Sequence, residues 1–556
     1  MVLFVCTAAY LLSYLAASRG MYILSGLVLI GTAAGTAFYD YRKSGRLICP
    51  AVLFSLSWIG GSGISCLKLS RLQVPWEMET WLCIYLTYAV FRIVYMWSAK
   101  LFANKRNRNN SGGISAAGAV SEISGFELNA SEKSYEPHTA KASNRPVSDR
   151  VNIMPESNHR STSAILAIMC VIALVSTGSF IAEALILGYI PLFLMDTPHA
   201  YSYFHVSGLH YFTVSFVLLP AMAVLYLYEC HVFGTAAKKE LSQQDLSGKE
   251  LSNQEHLNQG LPKKDISKKE LALLSLCTSA GIVLPVLLVS RYQLFFGLML
   301  AGAVYLILQG GSISISFNRR TVTALVSAFF ALLALYLFIT VRRAHSIEYL
   351  NGIFEMKDPR TPIFITQPYM YIANNFDNLN CLVRDLPAHT HGLRMLFPWI
   401  ALFGLKFTRP ELAAFPIYVT KEELTTVTLV YDAYYDFGLA GVVPFVAAGA
   451  FLAAFFEQMA LRYCGYSVYS MGSGGSVGFR DSRGFRGSRC FRGSNTAGAA
   501  ALRFFFVMIY AQITIYLALA FFTTWLSNPT TWFLFGLTTL LSTAIYALVR
   551  RDIPGD

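Results

Sequence analysis

The chain has 556 residues, of which 54% are hydrophobic and only 14% charged. That much apolar surface exceeds what one soluble core can bury, so a single water-soluble domain is excluded and a multi-span membrane protein is implied. The net charge of +12 does not indicate nucleic acid, because the basic residues lie largely in loops between apolar runs, where an anionic inner membrane face explains them.

Apolar runs long enough to cross a bilayer recur at 2–17, 21–38, 47–66, 79–100, 163–187, 207–230, 271–289, 292–308, 321–340, 437–461, 500–526 and 530–549, about twelve in all. Hydrocarbon offers an open backbone no partner, so these runs are expected to be helices. The lack of alternation at every second residue argues against a barrel. The expected fold is all-α, a polytopic integral membrane protein with about 12 transmembrane helices and one large external loop. Ala16-Ala17-Ser18 resembles a signal cleavage site, but no basic stretch precedes the first run, which is read as a retained helix.

Helices 1–4 are placed in 1–100, 5–6 in 163–230, 7–9 in 270–340, helix 10 in 437–462 and 11–12 in 499–556. Three polar segments separate them: 101–162, rich in Ser, Asn and Ala; 231–269, rich in Lys, Gln and Ser; and 463–498, rich in Gly, Ser and Arg. These read as cytoplasmic linkers with little fixed structure. The repeats within them, Lys239-Glu240-Leu241-Ser242 with Lys249-Glu250-Leu251-Ser252, and Gly478-Phe479-Arg480 with Gly484-Phe485-Arg486, are too short for a solenoid.

Arg42, Lys43 and Arg46, Arg319 and Arg320, and Arg550 and Arg551 all fall on one side if both termini are cytoplasmic. The same parity makes 341–436 external, with Leu396–Leu405 too short to span and read as interfacial or re-entrant. A connection of about ninety-five residues is usually functional. The ten cysteines are scattered without a CxxC pair or a Cys/His cluster, so neither a disulfide framework nor a zinc site is indicated.

The external region contains a polar island, Gln367–Asp385, reading QPYMYIANNFDNLNCLVRD. Tyrosine faces stack on sugar rings while Asn and Asp hydrogen-bond hydroxyls, although the same residues would equally serve a folded cap. Arg291, Arg342, Arg343 and Arg384 fall at or outside the outer boundary. Arginine's fork suits phosphate oxygens; each one taken singly also reads as an interfacial anchor. Glu183 lies near the outer end of the fifth span, where an ionisable residue is a functional candidate or a solvated helix end. His205 and His210 lack metal-ligand spacing and read as interfacial, and Glu457, near an inner helix end, is expected to face water.

Four ordered features carry a resemblance: Gly188-Tyr189-Ile190-Pro191-Leu192-Phe193, Ser290-Arg291, Tyr371-Ile372-Ala373-Asn374-Asn375-Phe376-Asp377-Asn378, and Thr425–Gly441 around Tyr435-Asp436-Phe437-Gly438. With the topology, they make the chain resemble the bacterial oligosaccharide repeat-unit polymerases, the integral membrane polymerases of O-antigen and capsule-type polysaccharides. The long polar linkers depart from the compact members of that family.

The resemblance implies glycosyl transfer at the outer leaflet of a bacterial plasma membrane. A growing glycan moves from its polyprenyl (undecaprenyl) pyrophosphate carrier to a new lipid-linked repeat unit, with membrane lipids and flippase and chain-length regulator proteins as partners. Arg291 and one or more of Arg342, Arg343 and Arg384 would neutralise the departing pyrophosphate. Asp436, Asp377 and His391 are candidates to take the acceptor proton, and Tyr371, Asn374, Asn375, Asn378 and Tyr435 would orient sugars. No DxD pair occurs in the outer loop, so no obligatory metal and no cofactor are expected. A ligase using the same carrier, a flippase for lipid-linked sugars, and a receptor with an outer binding loop are the competing readings. No internal duplication favours transport.

Overall fold

The computed structural model describes residues 2–122, 156–194, 200–230, 266–311, 319–344, 347–412, 415–464 and 496–551. They are helical, with no extended strand among them. The principal helices are α1 (Val2–Ser18), α2 (Tyr22–Ser44), α3 (Pro50–Cys66), α4 (Met78–Glu122), α5 (Glu156–Leu187), α6 (Leu209–Cys230), α7 (Lys268–Leu287) and α8 (Arg291–Leu308). They continue as α9 (Arg319–Ala344), α10 (Ile347–Phe354), α11 (Ile363–Asp385), α12 (Leu393–Leu402), α13 (Tyr431–Tyr463), α14 (Thr496–Ala518) and α15 (Pro529–Arg551).

Nine of the described helices, namely α2, α4 to α8 and α13 to α15, are long and apolar enough to cross a membrane. The other three expected spans fall on α1, α3 and α9, whose apolar stretches are shorter. The first expected linker begins later than its composition indicates, because α4 runs on to Glu122 and α5 starts at Glu156. The Lys and Arg that follow Phe102 are straight-chained and lose little side-chain freedom in a helix. Most of the other two polar segments, and both short repeats, lie outside the described residues.

Exposure follows the opposite rule from a soluble protein. Leu174 and Leu185 are 74% and 78% exposed, whereas Asp40, Glu229 and Glu457 are buried. Each buried acid meets a base from another helix: Asp40 with Arg92 at 2.6 Å, Glu229 with Arg503 at 2.7 Å, and Glu457 with Arg46 at 2.9 Å. Glu457 therefore does not face water as the sequence suggested. Tyr95 adds a hydrogen bond at 2.7 Å, and the cation and the phenol come from residues hundreds of positions away.

These pairs gather at one end of the bundle, and Glu183–His210, Lys68–Asp377, Tyr434–Glu79 and Arg291–Thr340 gather at the other. Helices that alternate in direction bring their ends together in this way. Close approach relies on small residues. A Cβ on Gly26 would lie 2.7 Å from the carbonyl oxygen of Gly63, so α2 and α3 touch backbone to backbone.

The region expected as one long loop is largely helical, built from α10, α11 and α12. Helix α11 enters the bundle: Phe376 lies 5.3 Å from the Trp58 ring and 6.1 Å from Trp76. Helix α12, with 10 residues, is about 15 Å long and too short to span.

Candidate functional site

Gln367, Tyr371 and Asn375 follow one another at intervals of four on α11, which puts them on one helix face. That face meets α8 and α9. Arg291, at the first position of α8, donates to Thr340 Oγ1 at 2.7 Å and to the Tyr371 hydroxyl at 3.2 Å. Its guanidinium carbon lies 5.4 Å from the Tyr336 ring centre and 5.8 Å from that of Tyr371, within cation–π range. Tyr336 donates to Gln367 Oε1 at 2.6 Å.

Two polar atoms on this face, Gln367 Nε2 and Asn375 Oδ1, are buried and have no hydrogen-bond partner among the described residues. Asn375 uses its amide nitrogen on the Tyr371 carbonyl, so the oxygen assignment is set by the bond it makes. Buried unpaired polar groups are rare and call for a ligand or water. On one helix face, a donor and an acceptor flank a tyrosine that a buried arginine touches, a set of groups suited to hydroxyls and anionic oxygens.

Asp377 is different. It is completely buried and accepts from Lys68 Nζ at 2.5 Å, Gln73 Nε2 at 2.6 Å, Trp76 Nε1 at 2.8 Å and Ser65 Oγ at 3.2 Å. Those four donors occupy about as many lone-pair sites as a carboxylate has. Asp377 thus clamps the α3–α4 connection onto α11. Asn374 and Asn378 are engaged with the segment before α13: Asn378 donates to the Leu424 and Thr426 carbonyls, both at 2.7 Å, and both asparagines accept from the Thr420 hydroxyl. In this structure they hold chain segments together.

The Tyr435-Asp436-Phe437-Gly438 motif lies in α13, which breaks at Gly438 with φ 62° and ψ −152°. Only glycine adopts that conformation cheaply. The break frees carbonyls that the 386–392 segment satisfies: His389 Nδ1 lies 3.2 Å from the Tyr435 carbonyl and the His391 N–H donates to the Asp436 carbonyl at 3.0 Å. The Asp436 carboxylate accepts from the Arg394 and Met395 N–H groups at 3.1 and 2.8 Å, and from the Thr390 hydroxyl. It caps the N-terminus of α12.

Arg394 pairs with Asp432, and its guanidinium carbon stands 4.8 Å from the Tyr435 ring centre. Gly438→Ala is expected to cost about 1–3 kcal/mol, because the new Cβ would also lie 3.0 Å from His389 Nε2. A fall in the melting temperature of the detergent-purified protein is the measurement; an unchanged value would refute the strained-break assignment.

The four arginines do not form one site. Arg384 is exposed and pairs with the adjacent Asp385 at 2.8 Å, holding that carboxyl below its ordinary pKa. Tyr371, where Arg291 is found, is thirteen residues away along α11, about 20 Å. Exposed pairs contribute about 0–1 kcal/mol, so Arg384→Ala is expected to leave the melting temperature within error of wild type. Arg342 and Arg343 end α9, and their side chains lie outside the described residues. His391 is exposed, with its ring 6.4 Å from Phe437.

The structure thus brings Arg291, Tyr371 and Asn375 together, and separately Asp436, Tyr435 and the His391 backbone. Gln367 joins the first cluster, Arg394 and Asp432 the second, and Lys68 holds Asp377, although the sequence proposed none of the four as a site residue. Lys68 carried a signal: it follows an apolar run on the side where the inside bias gives no reason for a cation.

Bundle and site together define a polytopic α-helical membrane protein with a buried, arginine-containing polar cluster at one end. The chain matches no known family, no curated protein and no solved structure.

Proposed function

We propose that the protein is a membrane glycosyltransferase that polymerises polyprenyl-pyrophosphate-linked oligosaccharide repeat units into a surface polysaccharide on the outer leaflet. The observation that carries this reading is this buried cluster, where Arg291 donates to the Tyr371 hydroxyl and the same face of α11 carries two buried unpaired amide atoms, Gln367 Nε2 and Asn375 Oδ1. Arg291 supplies charge for a departing pyrophosphate, and the amides and the Tyr371 ring supply what a sugar needs for hydrogen bonding and stacking. Asp377 and Asp436 enter only as supports, since their carboxylates already accept several bonds each.

In the reaction, the acceptor hydroxyl oxygen bonds to the anomeric carbon while that carbon's bond to phosphate oxygen breaks. Pyrophosphate leaves with the electron pair, and a base takes the hydroxyl proton. The test is the lipid-linked sugar profile of a strain lacking the protein. A single repeat unit accumulating on the outer leaflet is the expected result. Units trapped inside would identify a flippase instead, and accumulated long chains a ligase.

A further inference from the structure

On the other face of α8 from Arg291 lies a cavity of about 100 Å³, lined by apolar side chains such as Val217 and Leu534 together with His210, Gln293, Tyr516 and Asn528. At about 30 Å³ per water it has room for roughly three waters, or for one hydroxyl-bearing edge of a sugar. Two of its lining atoms lack partners. Gln293 Oε1 is buried without a hydrogen bond among the described residues. The Tyr516 hydroxyl, on a side chain only 6% exposed, faces Thr531 without a hydrogen bond of normal geometry.

Behind the cavity stands Glu183, fully buried. It accepts from Thr213 Oγ1 at 2.7 Å and from the Val206 N–H at 3.1 Å, and lies 3.2 and 3.3 Å from His210 Nδ1. A carboxylate held on Nδ1 places the ring's proton there and turns Nε2 away as an acceptor, the arrangement by which an imidazole is oriented for proton transfer. The exposed His205 ring packs 5.0 Å from that of His210.

The cavity and the Arg291 cluster share the first turn of α8. Arg291 serves one flank, Tyr292 and Gln293 the other, so a substrate laid across the tip of α8 meets both.

We propose that His210 accepts the proton of the sugar hydroxyl held in this cavity, with Glu183 as its positioning residue. This rests on the glycosyl-transfer reading above and assigns its acceptor side. As the hydroxyl oxygen bonds to the anomeric carbon, its proton passes to His210 Nε2; the bond to pyrophosphate breaks, and the imidazolium later returns its proton to water.

The test uses the full chain reconstituted in lipid vesicles, with lipid-linked repeat units extracted from the host as substrate and chain elongation as readout. His210→Ala is expected to lower the elongation rate by about 100-fold or more, with partial recovery when imidazole is added. Glu183→Gln is expected to lower kcat while KM stays near wild type. His210→Gln, closer in shape, guards against misfolding and should be equally slow.

Elongation within about twofold of wild type in either His210 variant would overturn the proposal. So would a loss that imidazole leaves untouched and that a lowered melting temperature accompanies, which would make His210 structural. If wild type elongates and Arg291→Ala does not, but the His210 variants do, only this inference falls. If wild type elongates nothing, the glycosyl-transfer reading falls with it.

Discussion

Asp377→Ala is expected to destabilise the protein by about 3–5 kcal/mol, the cost of leaving a buried charge without its partner. Lys68 is 5% exposed and would lose the carboxylate it pairs with, while Gln73, Trp76 and Ser65 would each lose an acceptor. The check is the thermal unfolding of purified protein together with its abundance in the membrane. A second variant sharpens the result. Lys68→Met with Asp377→Leu removes both charges, and replacing a buried pair by apolar groups is often close to neutral, so the double variant should be more stable than Asp377→Ala. If Asp377→Ala kept wild-type stability and lost glycan synthesis, the clamp would be the wrong role and a catalytic one would return.

Arg291→Ala carries the second large expectation. Removing a charge that stabilises a leaving group costs about 10²–10³ in rate, so the variant at normal abundance should accumulate single lipid-linked repeat units and lose long glycan. Arg291→Lys should recover only part of the activity. A lysine keeps the charge but loses the fork that reaches both Thr340 and the Tyr371 hydroxyl, and it stacks less well on aromatic rings. Arg384→Ala is the internal contrast, since its charge is exposed and held by the neighbouring Asp385. Unchanged chain length in Arg291→Ala would remove the pyrophosphate role. Shortened chains in Arg384→Ala alone would move that role to the far end of α11.

The legible and the hidden parts of this protein divide along a physical line. Spans are local: about twenty consecutive apolar residues declare a helix that lipid will accept, and the nine long apolar helices fall on runs read from hydropathy. Region 341–436 was legible as unusual but not as helical, because α11 mixes Asn, Asp and Tyr with apolar residues and its helix is held by tertiary partners. Arg291 stood out through its charge at the outer boundary, and the structure adds Tyr371 as its contact.

What the sequence by itself determined is the membrane class, the span positions and the concentration of polar residues in a few segments, since these depend on composition within a window of about one helix length. The tertiary structure alone decided which polar residues are open and which are occupied. Asp377 and Asp436 look like bases in a string of letters, yet the first is clamped by Lys68, Gln73 and Trp76 and the second caps α12. Glu183 reads as a functional candidate or a solvated helix end and His210 as an interfacial residue, yet they face each other at the edge of a cavity. The reason is that a side chain's hydrogen-bonding capacity is used on partners as many as 462 positions away among the described residues, and no local pattern records that use.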